Sequence, residues 1–235
     1  MSRAKVIIFI VEGISDKEAL NGILSELYDE KRFVFSIVDG DITTQNSSKV
    51  DTIRAKIGDY INKAAQRDKF LKTDVERVVH LIDTDGIYIP DKNIIINHTI
   101  NILYTENNIE TDNVNSIIAR NEKKRSILNI LSTMPAIYKG KNSIPYYMFY
   151  MSCNLEHVLH NVQNAIKEEK VNLAEKLEDK YIDNPHEFIK FMSESDFTVP
   201  GAYKDTWDFI KQDLNSLHRY SNFHLFFNMD KEEEF

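Results

Sequence analysis

The stretch VIIFIVEGISDKEAL, residues 6–20, joins a buried strand to a helix. The apolar run over residues 5–11 is short, continuous and rich in β-branched side chains, which is typical of a parallel strand covered on both faces. Glu12 and Gly13 end that run, and Ser15 and Glu18 then match the pattern of an N-terminal capping box. The stretch therefore predicts a strand, a carboxylate at its exit, and a helix that starts near Ser15.

Two further apolar runs repeat this arrangement. Residues 33–38 (FVFSIV) lead to Asp39, and residues 75–82 (VERVVHLI) lead to Asp83, with a segment of helical periodicity between the two runs. This β-α-β-α-β order predicts a parallel sheet with right-handed crossovers. Because ligands bind at the carboxyl ends of strands in such sheets, Glu12, Asp39 and Asp83 all lie where a site is expected.

The rest of the chain predicts more helix than strand. The segments NIIIN and INILY are candidate strands, residues 113–133 are predicted to be helical, and residues 144–151 (IPYYMFYM) are a further candidate strand. The next predicted helix carries apolar side chains at Leu155, Val158, Leu159, Val162 and Ile166. We therefore expect an α/β core over residues 1–160 and a helical C-terminal extension over residues 161–235, packed together as one unit.

Composition limits the class of protein. The chain has 235 residues, 42% of them apolar, and no apolar run near the about 20 residues that a membrane-spanning helix needs. A single cysteine excludes an internal disulfide and a cysteine-rich zinc module. Glu12 interrupts the N-terminal apolar run, so we expect no signal peptide and a cytoplasmic location. The net charge of −8 indicates that any contact with nucleic acid is local.

The segment Asp83-Thr84-Asp85-Gly86 is the strongest chemical signal. Side chains alternate along a strand, so two aspartates spaced D-x-D are expected to point the same way. Mg²⁺ prefers a few carboxylates, retained waters and substrate phosphate oxygens. The pair therefore predicts a divalent-metal site, to which Glu12 could add a ligand or a proton-transfer group.

The segment that follows the first predicted strand and the Asp83 segment together resemble the Toprim domain of topoisomerases, primases and several nucleases. The matching residues are Glu12, Gly13 and Asp16 in VEGISD, and Asp83 and Asp85 in HLIDTDG. The resemblance covers roughly residues 5–90 and includes the order of the elements between the two motifs. It implies a Rossmann-like parallel core, Mg²⁺ or Mn²⁺ as cofactor, and Glu12, Asp83 and Asp85 as catalytic residues.

Within that family the chain is most similar to the small, stand-alone members of the OLD-like (overcoming-lysogenization-defect) nuclease branch. The single cysteine and short length argue against primases, recombination mediators and topoisomerases, and Ile87-Tyr88-Ile89 departs from the longer second motif of other relatives. The resemblance nominates Glu156 as a further metal ligand. Asp16, which belongs to the first motif, and Asp39, which follows the second predicted strand, are also candidate ligands. It implies cleavage of DNA or RNA, in nucleic-acid processing or in phage defence with a protein partner, and it leaves a homodimer open.

A basic cluster follows in the predicted helix over residues 113–133. It is a candidate phosphate-binding patch, with a plain solvated helix face as the alternative; its members are Arg120, Lys123, Lys124 and Arg125. The nearby EHVLH segment lacks the order and spacing of the metalloprotease zinc motif, so we interpret His157 and His160 as residues of a helix surface.

Simpler interpretations accompany each candidate. Glu12 and Asp39 could be turn residues, since Asp-Gly is a common turn dipeptide, and Asp16 and Glu156 could be first-turn carboxylates favoured by the helix dipole.

Two other functions also fit the sequence. One is a non-catalytic, metal-dependent module that binds nucleic acid or a partner, and the other is a phosphatase resembling the haloacid dehalogenases. In the phosphatase Asp83 would be the nucleophile, but Ile87 stands where that motif normally has threonine.

Overall fold

The computed structural model of the protein describes residues 5–28, 31–37, 43, 49, 51–138 and 143–229. Its strands are β1 (Lys5–Val11), β2 (Lys31–Ile37), β3 (Val75–Asp83), β4 (Ile94–Ile96), β5 (Ile102–Tyr104), β6 (Ile109–Thr111) and β7 (Tyr146–Met151). Its helices are α1 (Ile14–Leu27), α2 (Ile53–Asp68), α3 (Val114–Leu131), α4 (Leu155–His160), α5 (Lys167–Tyr181), α6 (Pro185–Glu194) and α7 (Tyr203–Ile210).

The four long strands form one sheet in the order β2-β1-β3-β7. β1 pairs in parallel with both β2 and β3. β7 is parallel to β3 as well. Val78 N donates to Pro145 O and Thr84 N donates to Met151 O, so the bonded residue numbers increase in the same direction along both strands. The expected α/β class, with a parallel sheet flanked by helices, is confirmed.

β1 is the most deeply buried strand, and every residue from Val6 to Val11 is at most 1% exposed. A strand covered on both faces needs apolar side chains at successive positions, which explains the unbroken run in the sequence. β3 is almost equally buried, with partial exposure at Glu76 and at its last residue, Asp83.

The predicted start of α1 is wrong by two residues, because the N-cap is Gly13 and not Ser15. The helix begins at Ile14 with Gly13 as the N-cap, so Ser15 lies inside the first turn. The Gly13 N–H donates to Asp16 Oδ2 at 2.9 Å, so Asp16 and not Glu18 provides the carboxylate that reaches back to the N-cap. Asp16 occupies the third helical position, from which a carboxylate reaches back to the N-cap amide.

A second, smaller sheet has the order β4-β6-β5. β6 pairs in parallel with β4 and antiparallel with β5. The two candidate strands NIIIN and INILY correspond to β4 and β5, whereas β6 was not predicted, since three residues are too few to show a period. One apolar cluster backs this sheet, and it is formed by Ile89, Ile94, Ile109, Ile117 and Leu217.

The helix predicted after residue 155 is shorter than expected. α4 ends at His160 because Asn161 adopts a left-handed conformation, with φ of 58°, and its N–H bonds back to the carbonyls of Glu156 and His157. This is a common way for a helix to end, and asparagine tolerates it better than most residues. Val162 and Ile166 therefore lie outside the helix whose face they were predicted to extend.

The chain forms two compact units. The first comprises Met1–Leu81, Ile127–Met148 and Val171–Phe188, and the second comprises Ile82–Ser126, Phe149–Lys170 and Ile189–Phe235. The boundary near residue 160 stays a prediction. Over the ranges that the structure describes, no helix is both long and apolar enough to cross a membrane.

Candidate functional site

Asp83 and Asp85 lie in the second unit, at the end of β3 and just beyond it. Asp83 is the last strand residue and is partly buried. Asp85 is no longer in the strand, because its backbone turns into the left-handed region with φ of 50°. The alternation argument for two side chains pointing the same way is therefore wrong for Asp85, since it requires extended backbone through both positions.

The Asp85 carboxylate is held by a buried lysine. Lys124 Nζ lies 2.6 Å from Asp85 Oδ2, and the lysine side chain is 0% exposed while that of Asp85 is 23% exposed. The other carboxylate oxygen, Oδ1, accepts from the Tyr104 hydroxyl at 3.3 Å. Burial, and secondarily Asp85, raise the pKa of Tyr104, so this hydroxyl remains a donor. Both oxygens of Asp85 are thus engaged by side chains of the same unit.

Arg120 closes this network from the same helix as Lys124. Its Nη2 donates to the Asp85 carbonyl at 2.9 Å, and its Nη1 donates to the Tyr104 hydroxyl at 3.0 Å. Residues four apart share one face of a helix, so Arg120 and Lys124 approach the turn together. We name Asp85, Tyr104, Arg120 and Lys124 the Asp85 network.

The backbone of the turn is fixed independently by the segment that follows β7. Asp85 N donates to Cys153 O at 2.9 Å, and Thr84 N donates to Met151 O at 3.1 Å. The Thr84 hydroxyl accepts from Cys153 N and donates to Ser216 O, both at 2.8 Å. The polar groups of this buried threonine are therefore used within the fold.

Cys153 lies close enough to both aspartates to feel their charges. Burial raises the pKa of its thiol well above the usual value, and Asp85 and Asp83 raise it further, with Gln163 and Arg120 acting in the opposite direction. A thiol in these surroundings stays protonated, and only a thiolate is a good nucleophile. The surroundings of Cys153 therefore disfavour its thiolate form.

Glu156 is buried in the first turn of α4, at 1% exposure. Its Oε2 accepts from Lys170 Nζ at 2.8 Å, whereas Oε1 is buried with no hydrogen-bond partner among the residues described. The interpretation of Glu156 as a first-turn carboxylate favoured only by the helix dipole is therefore incomplete. Its free oxygen is a place for a cation or a donor.

His157 was predicted to be a surface residue, and the structure corrects this. The side chain is 8% exposed, and its Nδ1 has no hydrogen-bond partner within the described ranges. Burial lowers the pKa of His157 to about 4, and the charges of Arg219 and, to a smaller extent, His218 contribute to this shift. A backbone hydrogen bond with Ser152 partly opposes the shift. The neutral imidazole is therefore the native form.

The low pKa of His157 predicts that the protein becomes less stable to unfolding in acid. Its folded pKa of about 4 lies below the unfolded value, so the unfolded chain binds the proton more tightly and stability falls as pH decreases from about 6.5 towards 4. At pH 4.5 we expect the wild type to lose about 2 kcal/mol through this residue, relative to pH 7. Urea denaturation across this range should show a smaller pH dependence for His157→Gln. His98→Gln, at an exposed position, is the matched control; equal slopes for wild type and His157→Gln would contradict the assignment.

The remaining metal candidates belong to the first unit or lie outside the described residues. Glu12 directly follows β1 and is partly buried. Asp16 is 8% exposed and caps α1 through Gly13 N, which gives it a structural function. Asp39 lies outside the residues that the structure describes, so its role stays a prediction.

The basic cluster does not form one exposed face. Lys124 is fully buried and Arg120 is bonded to the Asp85 turn, so the interpretation as a solvated helix face is wrong for both. Lys123 and Arg125 are partly buried. Contact of the four residues with nucleic acid stays a prediction.

Any metal here would have to be bound together with a substrate, because the described side chains do not form a complete metal site. Within the ranges that the structure covers, no group of three or more His, Cys, Asp or Glu side chains is arranged to hold a metal ion. Mg²⁺ is commonly bound by one or two carboxylates, with waters and substrate phosphate oxygens completing its shell. Asp83, whose side chain stands at the end of a parallel strand, meets that smaller requirement.

Comparison with known proteins adds no family. No protein-family model matches the chain, and neither the curated proteins nor the solved structures include a significant match.

Proposed function

We propose that the protein is a Toprim-like, Mg²⁺- or Mn²⁺-dependent nuclease of the OLD-like branch, which hydrolyses phosphodiester bonds of DNA or RNA in the cytoplasm. The observation that carries this proposal is the position of Asp83, a partly buried carboxylate at the carboxyl end of a strand in a parallel sheet. Ligands of open α/β sheets bind at this edge. Two residues later Asp85 is bound by Lys124 and Arg120, whose bonds fix the turn that follows the strand.

Each side chain has a distinct part in the proposed reaction. A bound divalent ion would polarise the phosphate and lower the pKa of an attacking water. Asp83 would hold that ion, and Arg120 fixes the turn that carries Asp85. Glu12 as a metal ligand or proton-transfer residue, and Glu156 or Asp39 as ligands of a second metal, stay predictions.

Contact with the nucleic-acid backbone depends on few positive charges. The chain carries a net charge of −8, and Lys124 is already neutralised by Asp85. Lys123 and Arg125 are the members of the basic cluster assigned to phosphate contacts in this proposal. With so few contacts, affinity should fall only moderately with added salt, since the salt dependence scales with the number of phosphates neutralised.

Cleavage by the purified protein tests this function directly. Supercoiled plasmid, single-stranded DNA and a structured RNA are incubated with the protein in Mn²⁺, in Mg²⁺ and in excess EDTA. We expect nicking or shortening of at least one substrate with a divalent ion and none in EDTA. A small phosphate ester serves as a parallel substrate, because its turnover, with phosphorylation of Asp83, would instead support the phosphatase interpretation.

A second candidate function is a non-catalytic, metal-dependent module that binds nucleic acid or a protein partner, for example in phage defence. It is favoured by the Asp85 network, in which both carboxylate oxygens of Asp85 are already bonded to side chains of the fold. Binding without cleavage, at protein concentrations well above the dissociation constant, would support this alternative and exclude the nuclease.

A further inference from the structure

Two buried donor groups in the second unit have no hydrogen-bond partner in the part of the chain that the structure describes. They are the Tyr88 hydroxyl and the side-chain nitrogen of Asn121, Nδ2, and Asn121 is only 1% exposed. A buried polar group without a partner destabilises a fold, so an unused donor in a native structure needs an explanation. The surroundings of the two groups supply one.

Arg120 fixes the orientation of the Asn121 amide. Asn121 Oδ1 accepts from Arg120 Nε at 3.1 Å and from Arg120 Nη2 at 2.8 Å. An inverted amide would set its own N–H groups against these two donors, so Nδ2 is the end that is left without an acceptor. Because the same Nη2 also donates to the Asp85 carbonyl at 2.9 Å, Asn121 lies beside the turn that follows β3.

Tyr88 lies on the segment that leaves this turn and packs along α3. Its neighbour Ile89 belongs to the same apolar cluster as Ile117 of α3. Burial raises the pKa of the Tyr88 hydroxyl, and the charges of Lys124 and Arg125 oppose this shift. The hydroxyl therefore stays protonated, and it is close enough to both cations of α3 to feel their charges.

Arg125 adds a positive charge without a counter-ion in the described chain. It is partly buried, and no described carboxylate or other acceptor is bonded to its guanidinium, whereas Lys124 is bonded to Asp85. Arg125 follows Asn121 by four residues, so the two side chains share one face of α3. A guanidinium is well suited to bind a phosphate through two hydrogen bonds, which makes an anion the expected partner of this face.

We propose that the Tyr88 hydroxyl, Asn121 Nδ2 and the Arg125 guanidinium form a binding site for one phosphate-class oxyanion beside the turn that follows β3. All three groups can donate, and an oxyanion offers acceptors together with a negative charge, whereas a buried water would leave the guanidinium without a counter-ion. We name these three residues the α3 anion site. The site depends on the fold alone, and its use for a backbone phosphate of a nucleic-acid substrate rests on the proposed function.

Inorganic phosphate tests the site in the absence of nucleic acid. The melting temperature of the whole protein is measured in up to about 50 mM phosphate, with chloride keeping the ionic strength constant, and its rise gives a dissociation constant by mass action. We expect a value of about 1 mM for the wild type. Phosphate also stabilises folded proteins in general through exclusion from their surface, so the difference between wild type and variants is the measure of binding at the site.

Three substitutions each remove one donor group of the site. Tyr88→Phe and Arg125→Gln should each weaken phosphate binding at least about tenfold, because a hydrogen bond to a charged ligand is lost. Asn121→Asp keeps the oxygen that accepts from Arg120 but replaces the nitrogen with a negatively charged oxygen, so phosphate binding should be abolished.

Tyr220→Phe and Lys92→Gln are the matched controls. They make similar changes at a partly buried and at an exposed position of the same unit, and both variants should keep the wild-type dissociation constant. The melting temperature of Tyr88→Phe without phosphate distinguishes an anion from a structural water. A hydroxyl without a partner can be removed at no cost, so this variant should melt within about 2 °C of the wild type, or above it.

Two results would overturn the α3 anion site. If phosphate stabilises Tyr88→Phe and Arg125→Gln as much as the wild type, its effect is only the general one. If phosphate-free Tyr88→Phe melts further below the wild type than the expected range, the hydroxyl has a partner within the fold and is not reserved for a ligand.

Cleavage kinetics test the use of the site for nucleic acid. Tyr88→Phe should raise KM for the nucleic-acid substrate about tenfold and change kcat less than about twofold, because this contact is made equally in the ground state and the transition state. An unchanged KM would contradict that use. Phosphate binding in a wild type that cleaves no nucleic acid would contradict the nuclease and leave the α3 anion site in place, whereas an active wild type that binds no phosphate would contradict the site alone.

Discussion

Replacement of Asp83 by asparagine is expected to reduce metal-dependent cleavage by at least about 100-fold in kcat/KM. Asparagine keeps the size and the hydrogen-bonding oxygen of the side chain but removes the negative charge that a hard cation requires. Changes to residues that only support metal ligands already cost about 10- to 100-fold, so loss of a ligand should cost more. The rate of plasmid nicking in Mn²⁺, measured over a range of substrate concentrations, gives this number.

Asp91→Asn is the control for this substitution. It makes the same chemical change at an exposed aspartate of the same unit, and its cleavage rate should equal that of the wild type. Asp83→Asn should also unfold near the wild-type temperature, because Asp83 ends its strand with a partly exposed side chain. Full activity in a folded Asp83→Asn protein would show that the catalytic centre lies elsewhere.

The parallel sheet could be predicted because β1 and β3 are buried on both faces. Continuous apolar runs such as that of β1 leave little alternative to a buried strand, and the helical segments between them require crossovers. The short strand β6 and the early end of α4 could not be predicted. The first is too short for a pattern, and the second depends on the backbone conformation of Asn161 alone.

The candidate site was predictable only in part, for a different reason. A sequence shows that Asp83 and Asp85 are two residues apart, but it does not show that Lys124 is buried against one of them. Lys124 and Asp85 are 39 residues apart, and the contact depends on how the face of α3 meets the turn after β3. The i, i+4 spacing of Arg120 and Lys124 was a usable signal, because one helix face with two cations predicts an anionic neighbour.

Buried histidines escape sequence reasoning in the same way. His157 lies in a segment rich in polar residues, so a surface position was the natural expectation. Asn154 Oδ1 caps α4 by accepting from His157 N at 2.9 Å, and the His157 side chain is 8% exposed. The cap leaves a sequence signal, because asparagine is a preferred N-cap residue, but the burial of the histidine does not.

Replacement of Gly86 by alanine is expected to destabilise the protein by about 3 kcal/mol. Gly86 has φ of +65°, and a Cβ atom there would lie 2.6 Å from Leu217 Cδ2 and 3.1 Å from Ile109 Cδ1. The left-handed backbone costs about 1–2 kcal/mol for a residue with a Cβ, and overpacking of a core adds about 1–3 kcal/mol. Leu217 is 0% exposed and belongs to the apolar cluster behind the small sheet, so it has little room to move aside.

Gly13→Ala separates this effect from a general effect of losing a glycine. Gly13 has φ of −132°, and the nearest atom to an added Cβ is Ser15 Oγ at 3.5 Å, which is an ordinary contact. We expect a change of less than about 0.5 kcal/mol, because alanine also reduces the freedom of the unfolded chain. Urea denaturation of both variants gives the comparison, and a Gly86→Ala protein as stable as Gly13→Ala would contradict the backbone conformation of the turn.

Since strain and packing explain Gly86 fully, the glycine after Asp-Thr-Asp is not by itself a sign of metal binding. The chemical claim for this segment therefore depends on its two carboxylates, and on Asp83 above all.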